Sequence, residues 1–276
     1  MQADGPGPIR DFSSHVASAS VLGVAEPSVD LSFSLVNKIA VVTGGASGIG
    51  HAIVEAYARQ GATVIVFDRA TDALEGLADA AGASAAIACD VTDEGAVASA
   101  VQEVVARFGR IDVLVNCAGL AILGPAEDLA IAQWNTTLAV NLTGAFTVSQ
   151  HVGRIMLAQG RGTVISLASQ AATVALPGHV AYCVSKSGLV GLTKVLALEW
   201  AGRGVTANTI SPTVVLTPLG REFWDNPAGE ALKAQIPTGR FALPEEIAAA
   251  AVFLASDSAR MINGVDLLVD GGYTIR

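Results

Sequence analysis

Residues 38–68 read KIAVVTGGASGIGHAIVEAYARQGATVIVFD, and the periodicity inside this stretch decides the fold. IAVVT is a short apolar run, rich in β-branched residues, that breaks at glycine. The segment after it sets Ile49, Ile53 and Tyr57 at helical spacing until Gly61 ends it, and TVIVFD is a second apolar run. The order is strand, turn, helix, strand. Downstream, AAIACDV, IDVLVNCAG, GTVISLAS, VTANTIS and VDLLVDGG are five more candidate strands. Helix-like patterns fill most of the gaps, with Val97, Val101, Val105 and Phe108 forming one apolar face. Strands that are apolar almost throughout are expected where helices cover both faces of a parallel sheet. The chain is therefore predicted to be α/β, a doubly wound parallel sheet of the Rossmann type, as a single domain over 36–276. Between Pro212 and Arg240, around Gly220, Pro227 and Gly229, the alternation lapses into what reads as an irregular insertion over a ligand.

Residues 1–35 differ. They mix Gly, Pro, Ser and Asp, as in GPGPIRDFSS, and are predicted to be a disordered or loosely packed tail. They have neither the basic start of a signal peptide nor an apolar run long enough for a membrane span. Of the 276 residues, 51% are hydrophobic and 15% charged, which implies a large buried core. A net charge of -9 with no basic stripe argues against nucleic acid or an anionic membrane as partner. Cys89, Cys117 and Cys183 are an odd number without metal-ligand spacing. They are expected to be free core thiols in a reducing, cytoplasmic compartment, and no metal site is expected.

The loop after the first strand, Thr43 to Gly50, reads TGGASGIG. Glycines at 44, 48 and 50 allow a tight turn and close approach of the backbone to a pyrophosphate, while the next helix offers its free N–H groups and positive dipole end. Asp68, ending the second strand, can accept hydrogen bonds from both ribose hydroxyls and would repel a ribose phosphate, so NAD is favoured over NADP although Arg69 is adjacent. Further on, HVAYCVSKSGL places Tyr182 and Lys186 four apart on one helix face. An ammonium there can lower a phenol that otherwise titrates near ~10. By itself this spacing is common, and in isolation a half-buried ring with a lysine lying over it is the favoured explanation.

Taken together, TGGASGIG at 43–50, CDV at 89–91, NCAG at 116–119, VNLTG at 140–144, ISLAS ending at Ser169 and YCVSK at 182–186 resemble the short-chain dehydrogenase/reductase family, from about Leu35 onward. The resemblance implies that Tyr182 is the catalytic acid/base, Ser169 orients the substrate oxygen, and Lys186 lowers the tyrosine pKa and holds the nicotinamide ribose. It implies a water relay anchored at Asn141. It places Gly44, Ser47, Gly48, Ile49, Gly50, Asp68, Asp90, Val91, Asn116, Tyr182, Lys186 and Thr217 along the cofactor, and leads to the expectation of a homotetramer. Thr213 departs from the pattern, since many members have glycine after the corresponding proline.

Around the catalytic residues the similarity narrows to polyol dehydrogenases of that family: Ser169-Gln170, His179 three before the tyrosine, PTVVLT at 212–217, and Trp224. Gln170, His179 and Trp224 are the candidate substrate-binding residues, for a small polyol or ketose such as the D-threitol/erythrulose pair. Each has a plainer explanation: for Gln170 a bond to backbone, for His179 a loop position at a helix start, for Trp224 an apolar cover. The spare apolar residues Leu189, Leu192, Val195 and Leu196 suggest that the outer side of the Tyr182 helix meets another subunit. Two alternatives stand beside the polyol reading. One is a reductase of 3-oxoacyl thioesters or of other carbonyl substrates on the same scaffold, and the other is a non-catalytic dinucleotide sensor.

Overall fold

The computed structural model describes residues 31–70, 77 and 81–275. Seven strands form one parallel sheet: β1 Ile39–Thr43, β2 Thr63–Asp68, β3 Ala85–Ala88, β4 Val113–Asn116, β5 Gly162–Leu167, β6 Val205–Pro212 and β7 Asp266–Val269. They lie in the order β3-β2-β1-β4-β5-β6-β7. All seven coincide with the apolar runs of the sequence. The principal helices are α1 Gly48–Arg59, α2 Glu94–Phe108, α3 Ile131–Leu138, α4 Ala145–Gln159, α5 Val180–Trp200, α6 Pro218–Trp224, α7 Pro227–Lys233 and α8 Pro244–Ala255.

Alternation along β1 sorts the two cores. Ala40 and Val42 point to one face, where they meet Ile53 and Tyr57 of α1 and Ile247 and Ala251 of α8. Val41 points to the other, toward Val101 and Val104 of α2 and Val148 and Met156 of α4. The predicted α2 face holds, with Val97 and Val101 buried, Val105 and Phe108 half-buried, and Val104 added. The Tyr57 hydroxyl donates to the Ala251 carbonyl at 3.1 Å, so even the polar tip of this buried ring is partnered.

Four expectations need correction. The stretch 212–240 is not irregular. Thr217 and Asn226 cap α6 and α7, accepting the N–H groups of Gly220 and Gly229 at 3.0 Å each, and Pro218 and Pro227 occupy first-turn positions where no N–H is needed. Leu35, assigned to the tail, is fully buried and bonds through its N–H to the Gln60 carbonyl, so the folded unit takes in that residue. Residues 1–30, the rest of the predicted tail, lie outside the described residues. On α5, Leu189 and Leu196 turn inward and are buried, and the exposed apolar residues are Val184, Val195 and Leu198. Of the three cysteines only Cys89 is buried; Cys117 and Cys183 are half-buried.

Candidate active site

β1 reverses direction of strand addition, with β2 on one side and β4 on the other, and the crevice at such a point is where doubly wound sheets hold ligands. The glycine loop closes over its carboxyl end. Gly44 and Gly48 adopt φ of 66° and 56°, and a Cβ on Gly50 would lie 2.1 Å from the Gly44 carbonyl oxygen. Only glycine fits there. The Thr43 hydroxyl oxygen accepts the N–H groups of Cys117 and Ala118, 3.1 Å each, fastening the end of β4 to this loop. Asp68 is half-buried, and its carboxylate accepts the N–H groups of Ala46 and Ala70 at 3.1 Å each, which holds it at the rim of the loop. Thr217 overhangs the same loop, its methyl 3.4 Å from where a Gly48 Cβ would sit. Ser47 is the N-cap of α1, and Ile49 lies half-buried in the helix's first turn.

The catalytic candidates converge beyond the end of β5. Ser169 accepts the Ala171 N–H at 3.1 Å, which leaves its own O–H free to donate. Tyr182 and Lys186 stand on the first turns of α5, and the Lys186 ammonium is 5.7 Å from the Tyr182 ring centre while it donates to the Leu167 carbonyl at 2.6 Å. Burial holds Lys186 down at about 8. Burial also pushes the Tyr182 phenol above its ordinary value, and the hydrogen bond with Ser169 opposes that shift. In the protein alone desolvation outweighs the Ser169 hydrogen bond, and the net direction for the phenol is upward.

Asn141 lies in a π-helical turn, Ala139–Gly144, between α3 and α4. Its side chain accepts the Leu120 N–H at 2.9 Å and donates to the Leu120 carbonyl at 2.9 Å and the Ser185 hydroxyl at 3.0 Å. Both amide hydrogens are used, so in this arrangement the side chain is a clamp between the loop after β4 and α5.

Compared with known proteins, residues 44–274 match a family model described as enoyl-(acyl carrier protein) reductase. The D-threitol dehydrogenase of Mycolicibacterium smegmatis is 59% identical over 255 residues, covering 91% of this chain and 98% of that one. This chain belongs to the short-chain dehydrogenase/reductase family. The NAD-dependent glycerol dehydrogenase of Listeria innocua is 45% identical, covering 90% and 98% of the two chains. A gluconate 5-dehydrogenase of Burkholderia cenocepacia, solved in complex with NADP and tartrate, superposes with a TM-score of 0.84 at 34% identity, over 88% of this chain and 98% of that one. Two of these relatives are thus named for the oxidation of polyols, and the third was solved with a nicotinamide dinucleotide.

Around the crevice the remaining predicted residues divide. His179, half-buried, packs edge-on to Tyr182 with ring centres 6.2 Å apart. Its Nδ1 lies 2.7 Å from the Pro177 carbonyl, which can only accept, so Nδ1 carries a proton and Nε2 is the acceptor nitrogen whenever the ring is neutral. Gln170 is buried on the turn after Ser169, and its Oε1 finds no protein partner. Trp224 instead packs edge-on against Phe241, 6.2 Å between centres, and is half-buried at the end of α6. Val91 is buried and Asp90 exposed, with the Asp90 carboxylate accepting from the Thr92 N–H at 2.9 Å and hydroxyl at 2.7 Å, which lowers its pKa. Asn116 is buried beneath the crevice, its amide nitrogen donating to the hydroxyls of Ser149 and Ser166 at 2.9 and 3.2 Å. Sequence reading missed Thr43 as a clamp and Ser185 as a partner of Asn141. Their only signal was a hydroxyl residue just before a motif glycine and just before the motif lysine.

Proposed function

We propose that this dehydrogenase oxidises a short polyol to a ketose with NAD, with a tetritol such as D-threitol giving erythrulose as the favoured pair and Tyr182 as the acid/base. The observation that carries this reading is the convergence of Ser169, Tyr182 and Lys186 at the end of β5, with the His179 ring packed edge-on to Tyr182. The names of the two polyol-oxidising relatives support it.

A dinucleotide fits the residues present. The left-handed glycines and the close approach at Gly50 make a cradle that a Cβ would fill. Gly44, Ser47, Gly48, Ile49 and Gly50 would hold the pyrophosphate against the α1 N-terminus. Asp68 would hold the ribose, Asp90 and Val91 the adenine, Asn116 the mid-channel, Thr217 the carboxamide, and Tyr182 with Lys186 the nicotinamide ribose. What the dinucleotide supplies is hydride acceptance. Asp68, fixed by two backbone N–H groups, favours NAD over NADP.

The chain's own residues handle the proton. Tyr182 as phenolate accepts the hydroxyl proton of the substrate, and the Lys186 ammonium stabilises that phenolate against the cost of burial. The Ser169 O–H donates to the same substrate oxygen. His179 Nε2 accepts from a neighbouring hydroxyl, and the unpartnered Gln170 Oε1 would be satisfied by another. Trp224, on the α6 segment above the loop, would cover the polyol. Exposed Val184, Val195 and Leu198 on α5 and Phe146 on α4 support assembly with further copies, as a homotetramer. The segment Val180–Arg203 is long and apolar enough to cross a membrane, but it packs in the core through Leu189 and Leu196, which supports a cytoplasmic enzyme.

The test is turnover of a panel of tetritols, pentitols and hexitols with NAD and with NADP. Tetritol oxidation with NAD is expected, and Tyr182→Phe should lose at least about a thousandfold in kcat with NAD binding intact. Silence across the panel overturns the substrate, tighter NADP binding the cofactor, and an active Tyr182→Phe the acid/base.

A further inference from the structure

We propose that Ser185 is a positioning residue for Tyr182, the link through which the loop after β4 fixes the catalytic turn of α5. This rests on Tyr182 being the acid/base. Ser185 is wholly buried. Its hydroxyl donates to the Tyr182 carbonyl at 2.8 Å and accepts from the Asn141 amide nitrogen at 3.0 Å.

The hydrogens in this chain of bonds have one consistent arrangement. The Leu120 N–H can only donate, so Oδ1 of Asn141 faces it. The two amide hydrogens then go to the Leu120 carbonyl and to Ser185. With its lone pair engaged by Asn141, the Ser185 hydroxyl directs its proton to the Tyr182 carbonyl. A serine bonding back to a carbonyl three residues earlier is ordinary helix behaviour. The second bond, to Asn141, is not, because it ties that turn to a different part of the chain. A Cβ on Gly119, next to Leu120, would lie 3.6 Å from the Lys186 ammonium and 3.4 Å from Asn141 Oδ1, so this loop borders the same ammonium that must sit near the phenol.

Removing the Ser185 hydroxyl leaves one Asn141 N–H unpaired where water does not reach, since Asn141 is 1% exposed. The amide must turn to recover a partner, which breaks its pairing with Leu120. Tyr182 and Lys186 then lose the bonds that hold their turn against the loop. The phenolate is stabilised less, so the proton-transfer step suffers while the glycine loop, at the other end of the crevice, still binds NAD.

The test uses Ser185→Ala and Ser185→Cys in the full chain, with the polyol that the wild type oxidises. Ser185→Ala is expected to lower kcat about tenfold, to leave KM for NAD within about twofold, and to displace the acid limb of the kcat–pH profile toward higher pH. Ser185→Cys, nearly equal in volume and a weaker hydrogen-bonding group, should fall between, and it carries the test if the alanine variant does not fold. In combination with Asn141→Ala, Ser185→Ala should cost little beyond the single Asn141 change, because both break one chain of bonds. Wild-type kcat and pH profile in both serine variants, or losses that multiply in the double variant, would overturn the proposal while leaving Tyr182 in its role. An active Tyr182→Phe would overturn both readings together.

Discussion

The two ends of the crevice are built from different material. Around β1, α1 and β2 the site is backbone: left-handed glycines, a carbonyl 2.1 Å from a missing Cβ, N–H groups pinning Asp68. Around α5, α6 and the turn before α5 it is side chains: His179 against Tyr182, Trp224 against Phe241, Thr217 capping a short helix. Backbone geometry admits one residue type at a position, whereas a side-chain surface can be refilled. The same scaffold can thus keep its cofactor chemistry while its substrate changes, in line with the tetritol, glycerol and gluconate named for its relatives.

Three substitutions would break or sharpen this contrast. Gly50→Ala should be the most damaging, since its Cβ meets backbone that cannot yield. Titration should show NAD affinity reduced by at least about a hundredfold, following overpacking of roughly 3 kcal/mol, and near-normal binding would dissolve the contrast. His179→Phe keeps the ring and removes the Nε2 acceptor. Steady-state kinetics should give kcat/KM for the polyol about tenfold lower with KM for NAD unmoved, and a matching loss on the NAD side would place the histidine in the wrong half. Thr217→Val should be mildest. Losing the cap of α6 costs about 1 kcal/mol, seen as a melting temperature lower by about 2–4 °C, and an unchanged melting temperature would show that the cap does not hold α6.

Legibility followed the same division. Every strand could be read because a strand covered on both faces is apolar throughout, and the glycine loop because its spacing reflects a steric demand. The helices α6 and α7 could not, because each is only seven residues long and the stretch around Gly220, Pro227 and Gly229 shows no periodicity, although Pro218 and Pro227 each open a helix behind a capping residue. On α5, Leu189 and Leu196 looked like surplus apolar surface, since one helix touches the sheet, α4 and the turn after Ser169 and needs more than a single stripe. His179 was identified through its spacing from Tyr182. Its tautomer depends on the carbonyl of Pro177, and the sealed position of Gln170 on the packing of its turn, and neither leaves a mark in the chain. The sign of the tyrosine shift was hidden too, because helical spacing reports which charge is near and says nothing of how much water is excluded.

The strand order has a consequence for how the chain is made. β1 is synthesised first and ends in the interior of the sheet, with β2 and β3 laid outward on one edge and β4 through β7 outward on the other. Each strand, as it leaves the ribosome, therefore meets a finished neighbour at an open edge, and none must be threaded between two that have already paired. Non-local parallel pairing is slow to form and prone to aggregate while incomplete. An order in which emergence and addition coincide keeps just the growing edges unpaired at any moment of synthesis.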